Sequence, residues 1–325
     1  MLKLARTFKL MALGLAMASG LAHAQNAQSY PNRPVKIVVP FAAGGPADNY
    51  ARFMAQRLTD ELKQPFVIDN KPGAGSIIGT DFAAKSPADG YTLLMMSNTQ
   101  TVNESLIPKK PFALMKDFVG IAPVNYSNLL LVVHPSVPAK NVSELIALAK
   151  TKPGKLNFAS SGNGTPYHMA GELFKYMAGV DMTHVPYKGS SGARTDIVGG
   201  QVDVMFDAET TMAEFARNGQ VRMLGATGLT RSANLPDVST VAETVPKYEA
   251  TIWLGFMAPK GTPADIVTKL NAEMRKIVNN PDVKTAWAKQ GAVPLSMTVA
   301  EFEQYLNADI AKWANIVKVS GAKAD

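Results

Sequence analysis

Short apolar runs alternate with longer amphipathic stretches from Val35 to Thr227, and this alternation restricts the fold more than any other feature of the chain. Strands are predicted over 35–40, 66–70, 91–97, 129–134, 156–160, 183–186, 202–207 and 221–227. Between them the spacing predicts helices over 47–63, 76–85, 143–150, 166–178, 193–198 and 210–218. Strands separated by helices imply an α/β fold with parallel sheets covered by helices. The tail differs, with long helices over 263–279 and 299–319. In the last, Phe302, Leu306, Ile310, Trp313 and Val317 recur at three- and four-residue steps, giving one apolar face to pack across the first domain. Trp313 is therefore expected in the core.

About 300 residues follow the N-terminal segment, more than one core usually serves, so two domains are expected. Segments 129–134 and 251–258 suit a pair of strands crossing between them. On that reading, residues 25–128 and 255–325 build one lobe and 129–254 the other, with a cleft that closes by hinge motion.

Three features bound the chain's setting. Lys3, Arg6 and Lys9 precede an apolar run over 10–21 and then Ala22-His23-Ala24, the parts of a secretory signal cleaved after about Ala24. The run is too short to span a bilayer. Cysteine is absent, which removes disulfides, thiolate metal sites, cysteine nucleophiles and a lipid-modified cysteine together. A periplasmic protein is expected. The formal charge of +7 includes the three basic residues of the signal, and no Lys/Arg run forms a nucleic-acid stripe.

Two loops carry the chemistry. Phe41-Ala42-Ala43-Gly44-Gly45-Pro46-Ala47-Asp48 leads from a strand into a helix. Its glycines allow a tight turn and close approach. The helix start presents free N–H groups and a positive dipole end, which suit an anion. Asp48 and Pro46 fit the first turn. An ordinary strand-to-helix turn has the same spacing. Ser160-Ser161-Gly162-Asn163-Gly164-Thr165-Pro166 repeats the step with neutral donors, Thr165 doubling as a cap. Two such loops at the carboxyl ends of strands in separate lobes face one cleft. Tyr187 and Lys188 follow another strand, and Asp207 ends one. His168 reads equally as a structural hydrogen bonder or a ligand contact.

Other chemistries find little support. No His and carboxylate set has metal-ligand spacing, so no metal is expected. Gly73-Ala74-Gly75-Ser76-Ile77-Ile78-Gly79 follows a strand, but its third glycine is one place late for a dinucleotide loop and the next strand ends without a ribose-binding acid. It reads as a tight turn. No cofactor is expected, and no G-x-S-x-G elbow occurs.

The chain resembles the extracytoplasmic receptors of tripartite tricarboxylate transporters, the Bug receptors, over nearly its whole length. The resemblance rests on Tyr30-Pro31-Asn32-Arg33-Pro34-Val35 with the loop that follows, on Asn70-Lys71-Pro72-Gly73-Ala74-Gly75, and on Asp89-Gly90-Tyr91-Thr92-Leu93-Leu94. It continues in Gly164-Thr165-Pro166-Tyr167-His168-Met169, Val185-Pro186-Tyr187-Lys188-Gly189, Gly199-Gly200-Gln201-Val202-Asp203 and Ala258-Pro259-Lys260-Gly261. It implies a type-II periplasmic binding protein, two α/β lobes joined by a two-strand hinge with the ligand cleft between them. It further implies that a ligand carboxylate is held at Phe41, Ala43, Gly44 and Gly45 by backbone groups and bridging water rather than by arginine, with Asp48 fixing the helix start. Ser161, Gly162, Asn163, Gly164 and Thr165, with His168, would close on the other end, Tyr187 and Asp207 lying near. Pro46 departs from relatives with serine or threonine there, and Tyr167 sets a large ring beside the second loop.

The expected function is a monomeric receptor delivering a small carboxylate to a membrane permease, with no nucleic-acid partner. Two alternatives stay open: a sensor that presents its ligand to a membrane kinase, and an enzyme using His168 and Asp207 as acid and base.

Overall fold

The computed structural model describes residues 29–324, so the expected secretory signal lies outside the described residues. Ten strands appear among those residues: β1 (Val35–Val39), β2 (Phe66–Asn70), β3 (Thr92–Ser97), β4 (Phe118–Val133), β5 (Asn157–Ser160), β6 (Thr183–Pro186), β7 (Val204–Ala208), β8 (Arg222–Ala226), β9 (Thr251–Pro259) and β10 (Ala292–Pro294). They run in the order β2-β1-β3-β9-β4-β7-β5-β6, with β8 and β10 also paired to β4. The alternation read from the sequence is thus an α/β fold.

The parallel pairing implied by that alternation holds only at the two ends. β1 lies parallel to β2 and β3, and β5 lies parallel to β6 and β7. The middle is antiparallel, where β9 pairs with β3 and β4, and β4 with β7 and β8. The reason is topological. A chain that leaves one half on β4 and returns on β9 must run those two strands in opposite senses.

β4 is longer than the apolar run over 129–134. Its residues 118–128 pair with β9, and 129–133 pair with β7 and β8. Partners therefore change between Asn128 and Leu129. On the return, Ala250 N donates to Thr227 O, and Thr251 then pairs with Asn128. Gly120 and Pro123 interrupt the alternation in the first stretch of β4, which hid it from a pattern reading.

Three α-helices lie outside the sequence expectation, Asn98–Leu106, Leu114–Asp117 and Pro281–Ala288, as does the short 3-10 helix Val241–Glu243. The first is polar and yet buried, with Asn98, Thr99, Gln100, Thr101 and Asn103 all inside. Its hydrogen bonds explain why it is stable there. Ser97 and Gln100 form a capping box, Gln100 Nε2 reaches Ser76 and Thr80, and Asn98 Nδ2 donates to Thr251 O. Burying polar groups is tolerable only when they are so paired.

The C-terminal helix Val299–Ser320 buries Phe302, Leu306 and Trp313, as its apolar face requires. Phe302 seats on β9, where a Cβ on Gly255 would meet its ring at 2.7 Å. Each such ring or leucine contributes about 1.5–3 kcal/mol by leaving water. Trp313 clusters with Val102 and Leu106 and also with Met169 of the helix Pro166–Ala178. The helix expected across the first domain therefore touches the second half as well.

Candidate ligand-binding cleft

Four helices begin at one cavity between the two halves, a space of about 330 Å³ that is partly open to solvent. Pro46 and Ala47 open the helix Pro46–Leu62, while Ser97 caps and Thr99 lies in the first turn of Asn98–Leu106. Pro166 and Tyr167 open Pro166–Ala178, and Ser190 opens Ser190–Val198. Each helix start carries roughly half a positive charge. Phe41, Tyr167, Ile252 and Leu254 supply the apolar walls. None of the described lining residues is charged. The cavity therefore favours an anion through dipoles and amides, around an apolar body.

The first loop is held from its own half. Gly44, at φ 80°, turns its N–H onto Asp48 Oδ2 at 3.0 Å. Asp48 also accepts from Arg52 Nε at 3.0 Å and from Asn70 Nδ2 at 3.0 Å, and Asn70 further donates to Phe41 O. Burial pushes the Asp48 carboxyl up, but the bonds from Arg52, Gly44 and Asn70 outweigh it and hold it below its ordinary value. Gly45 caps the helix without any side-chain hydrogen bond, and so does Gly189 before Ser190. Those two helix starts keep their orphan amides free for a ligand.

The second loop satisfies itself. Gly162 N donates to Ser160 Oγ, Thr165 N and Oγ1 both donate to Gly162 O, and His168 N donates to Thr165 Oγ1. Gly164 N donates to His168 Nδ1 at 3.1 Å. The His168 ring stacks on His184 at 4.0 Å and is only 2% exposed. Burial, then the charges of His184 and Lys175, lower its pKa to about 3. It is a neutral acceptor that fixes the loop.

The expected site residues therefore divide. Phe41, Gly45 and Ser161 line the cavity. Gly162, Asn163 and Tyr187 line an adjoining mouth of about 520 Å³, together with Gly73, Ala74, Gly75 and Ser76. Tyr187 donates from its hydroxyl to Asp196 at 2.5 Å, and burial with that partner pushes it up to about 12. Ala43, Gly44, Asp48, Gly164, Thr165 and His168 line neither space; Asp48, Thr165 and His168 brace the loops from behind, and Ala43 and Gly44 are exposed. Asp207 is wholly buried. One oxygen accepts from Ala208 N at 2.8 Å, and the other lies 3.6 Å from Arg194 Nε. Burial raises it to about 6 despite that arginine.

Sequence reasoning missed several residues. Ser97 and Thr99 carried a signal, the Ser97-x-x-Gln100 capping box. Ser76 and its glycine neighbours were read as a plain turn, whereas Gly73, Ala74, Gly75 and Ser76 all have positive φ and face Ser161–Asn163. Ile252 and Leu254 look like any buried strand and gave no signal. Arg194 was also missed, because no buried cation was expected here; it is 6% exposed. Among the described residues no group of three His, Asp or Glu side chains could hold a metal ion, and no helix is long and apolar enough to cross a membrane.

Comparison with known proteins identifies the family and the fold. The profile of the tripartite tricarboxylate transporter family receptor matches residues 50–322. Protein BugT of Bordetella pertussis (strain Tohama I) is 37% identical over 318 residues, covering 97% of this chain and 98% of its own. An R. palustris protein solved with adipate superposes with a TM-score of 0.88 at 33% identity, covering 91% of this chain and 99% of its own. MatC from Rhodopseudomonas palustris, solved with bound malate, gives 0.84 at 32% identity, covering 89% and 100%. The fold is that of the periplasmic binding proteins, as the resemblance implied. The chain belongs to the tripartite tricarboxylate transporter receptor family.

Proposed function

As a member of that receptor family, this protein is, we propose, a periplasmic solute receptor that captures a small carboxylate and hands it to a tripartite tricarboxylate-type permease. The observation that carries the reading is the convergence of four helix starts on a cavity whose lining has no charged side chain. A carboxylate there meets free amides at the glycine-capped helices, and its carbon body meets Phe41, Tyr167, Ile252 and Leu254. Adipate and malate in two structural relatives point to dicarboxylates first, with amino-acid-like and aromatic acids as the wider class.

We take the return crossing four residues earlier than the expected 254/255, so that the lobes are residues 29–128 with 251–324, and 129–250. The pairing of β4 and β9 supports crossings at 128/129 and at 250/251. Closing about those crossings seals the acid from water. The working form is a monomer, exported with its first 24 residues removed. An enzyme built on His168 and Asp207 gains no support, since neither lines the cavity.

Thermal unfolding with a panel of C4–C6 dicarboxylates and aromatic acids tests the assignment. An acid at 100 times its Kd raises stability by about 2.7 kcal/mol. No shift with any member of the panel overturns it.

A further inference from the structure

Arg194 stands on the helix Ser190–Val198, beside the cavity but outside its lining. Its Nε faces Asp207 Oδ2 at 3.6 Å, and its Nη2 lies 3.3 Å from Ser190 Oγ. The same Nη2 donates to Gly44 O at 2.8 Å, in the other half of the molecule. A guanidinium presents its donors in a rigid fork, so one edge can stay with a carboxylate while the other reaches across a seam.

Two weaker contacts follow the same seam. Ser191 Oγ donates to Ala43 O at 3.0 Å in an exposed position, and Ala42 N donates to Lys188 O at 3.3 Å. Of these three, only the Arg194 bond is charge-assisted, and it is part-buried.

Gly44 is the joint on which this bond acts. It has φ +80°, and a Cβ there would meet nothing within 4 Å. Its carbonyl belongs to the planar peptide that ends in the Gly45 N–H, on the cavity wall. In a trans peptide the two groups point in opposite directions, so fixing one fixes the other.

We infer that Arg194 is a positioning residue for ligand capture: held by Asp207 in one half, it grips the Gly44 carbonyl when the halves close and so sets the amide edge of the anion loop. The inference rests on the receptor reading above. Ligand release then requires this bond to break, and loss of the bond speeds release more than it slows capture.

The chain has no cysteine, so one pair can be introduced for labels at exposed positions in each half, Gln56→Cys and Lys150→Cys. Interlabel distances by pulsed electron resonance, and adipate release by stopped flow, are compared in the parent and two variants. Arg194→Lys keeps a charge for Asp207 with a shorter reach. Arg194→Leu with Asp207→Asn removes both charges, so that no unpaired carboxylate threatens folding; unchanged circular dichroism verifies that it folds. The expected result is release about ten-fold faster or more in the double variant, as loss of a hydrogen bond to a charged group implies, with capture changed much less. Arg194→Lys falls between, and the short-distance population shrinks in the same order. Release rates and distances alike in all three proteins overturn the inference. If adipate does not bind the parent, the distances without ligand decide: a short population that shrinks in Arg194→Lys and further in the double variant supports the latch, and identical distributions or no short population overturn it. Failure to bind any acid of the panel counts against the receptor reading alone.

Discussion

The two loops that meet at the cleft have similar sequences of small residues but are built on opposite principles. The first, 41–48, is braced by a charged group, Asp48, and leaves the helix behind it without a side-chain cap. The second, 161–168, is braced by neutral groups, Thr165 and His168, which take up its own amides. The difference shows that small polar composition alone does not make an anion loop. What matters is which amides remain free once the loop has satisfied itself.

The comparison is broken most severely by removing the charged brace. Asp48→Ala frees the Gly44 N–H and removes one of the two hydrogen bonds donated by the Asn70 amide, and its expected cost is about 2–4 kcal/mol of stability. Adipate affinity should fall at least ten-fold with it. Urea unfolding and titration calorimetry measure both, and a near-neutral result would show that the brace is dispensable.

Glycine substitutions should separate the loops next. Gly164→Ala combines φ +72° with a Cβ only 2.1 Å from Asn103 Oδ1, so about 2–3 kcal/mol is expected. Gly44→Ala has the same strain in open space, and about 1–2 kcal/mol is expected. Denaturant midpoints give the ranking, and equal losses would contradict the packing difference.

Acid should affect the second loop in a way that the first does not share. His168 has a folded pKa of about 3 against 6.5. Between those values the unfolded chain binds a proton that the folded one does not, so stability falls as pH drops from 6.5 toward 3. Asp207 acts in the opposite sense: its folded pKa of about 6 against 3.8 makes stability rise as pH falls through that window. His168→Gln removes the first slope and exposes the second, so this variant should gain on going from pH 7 to 5 relative to the parent. Denaturation at the two pH values checks the sign. The smallest effect belongs to Thr165→Ala, which removes one helix cap for about 1 kcal/mol, read from the same urea curves.

Much of this architecture was legible in the residues, and the exceptions share a cause. Strands such as Phe66–Asn70 and Thr183–Pro186 and the helix Pro166–Ala178 agree with their apolar spacing and proline start. Helix Asn98–Leu106 was not legible because its stability comes from partners far away in sequence, Thr251 and Asp309 among them. Within the cleft, Phe41, Gly45 and Ser161 could be anticipated from loop chemistry. Ile252 and Leu254 could not, since a strand residue becomes a pocket wall only through what closes over it.

Sequence alone determined the α/β alternation, the absence of cysteine chemistry and the position of two glycine-bearing loops at strand ends, because those depend on local periodicity and composition. The tertiary structure decided which amides are free, which strand runs antiparallel, and that Arg194 crosses to Gly44. Each of these is a pairing between residues distant in the chain. Such pairings exist only once packing has brought their partners within hydrogen-bonding distance.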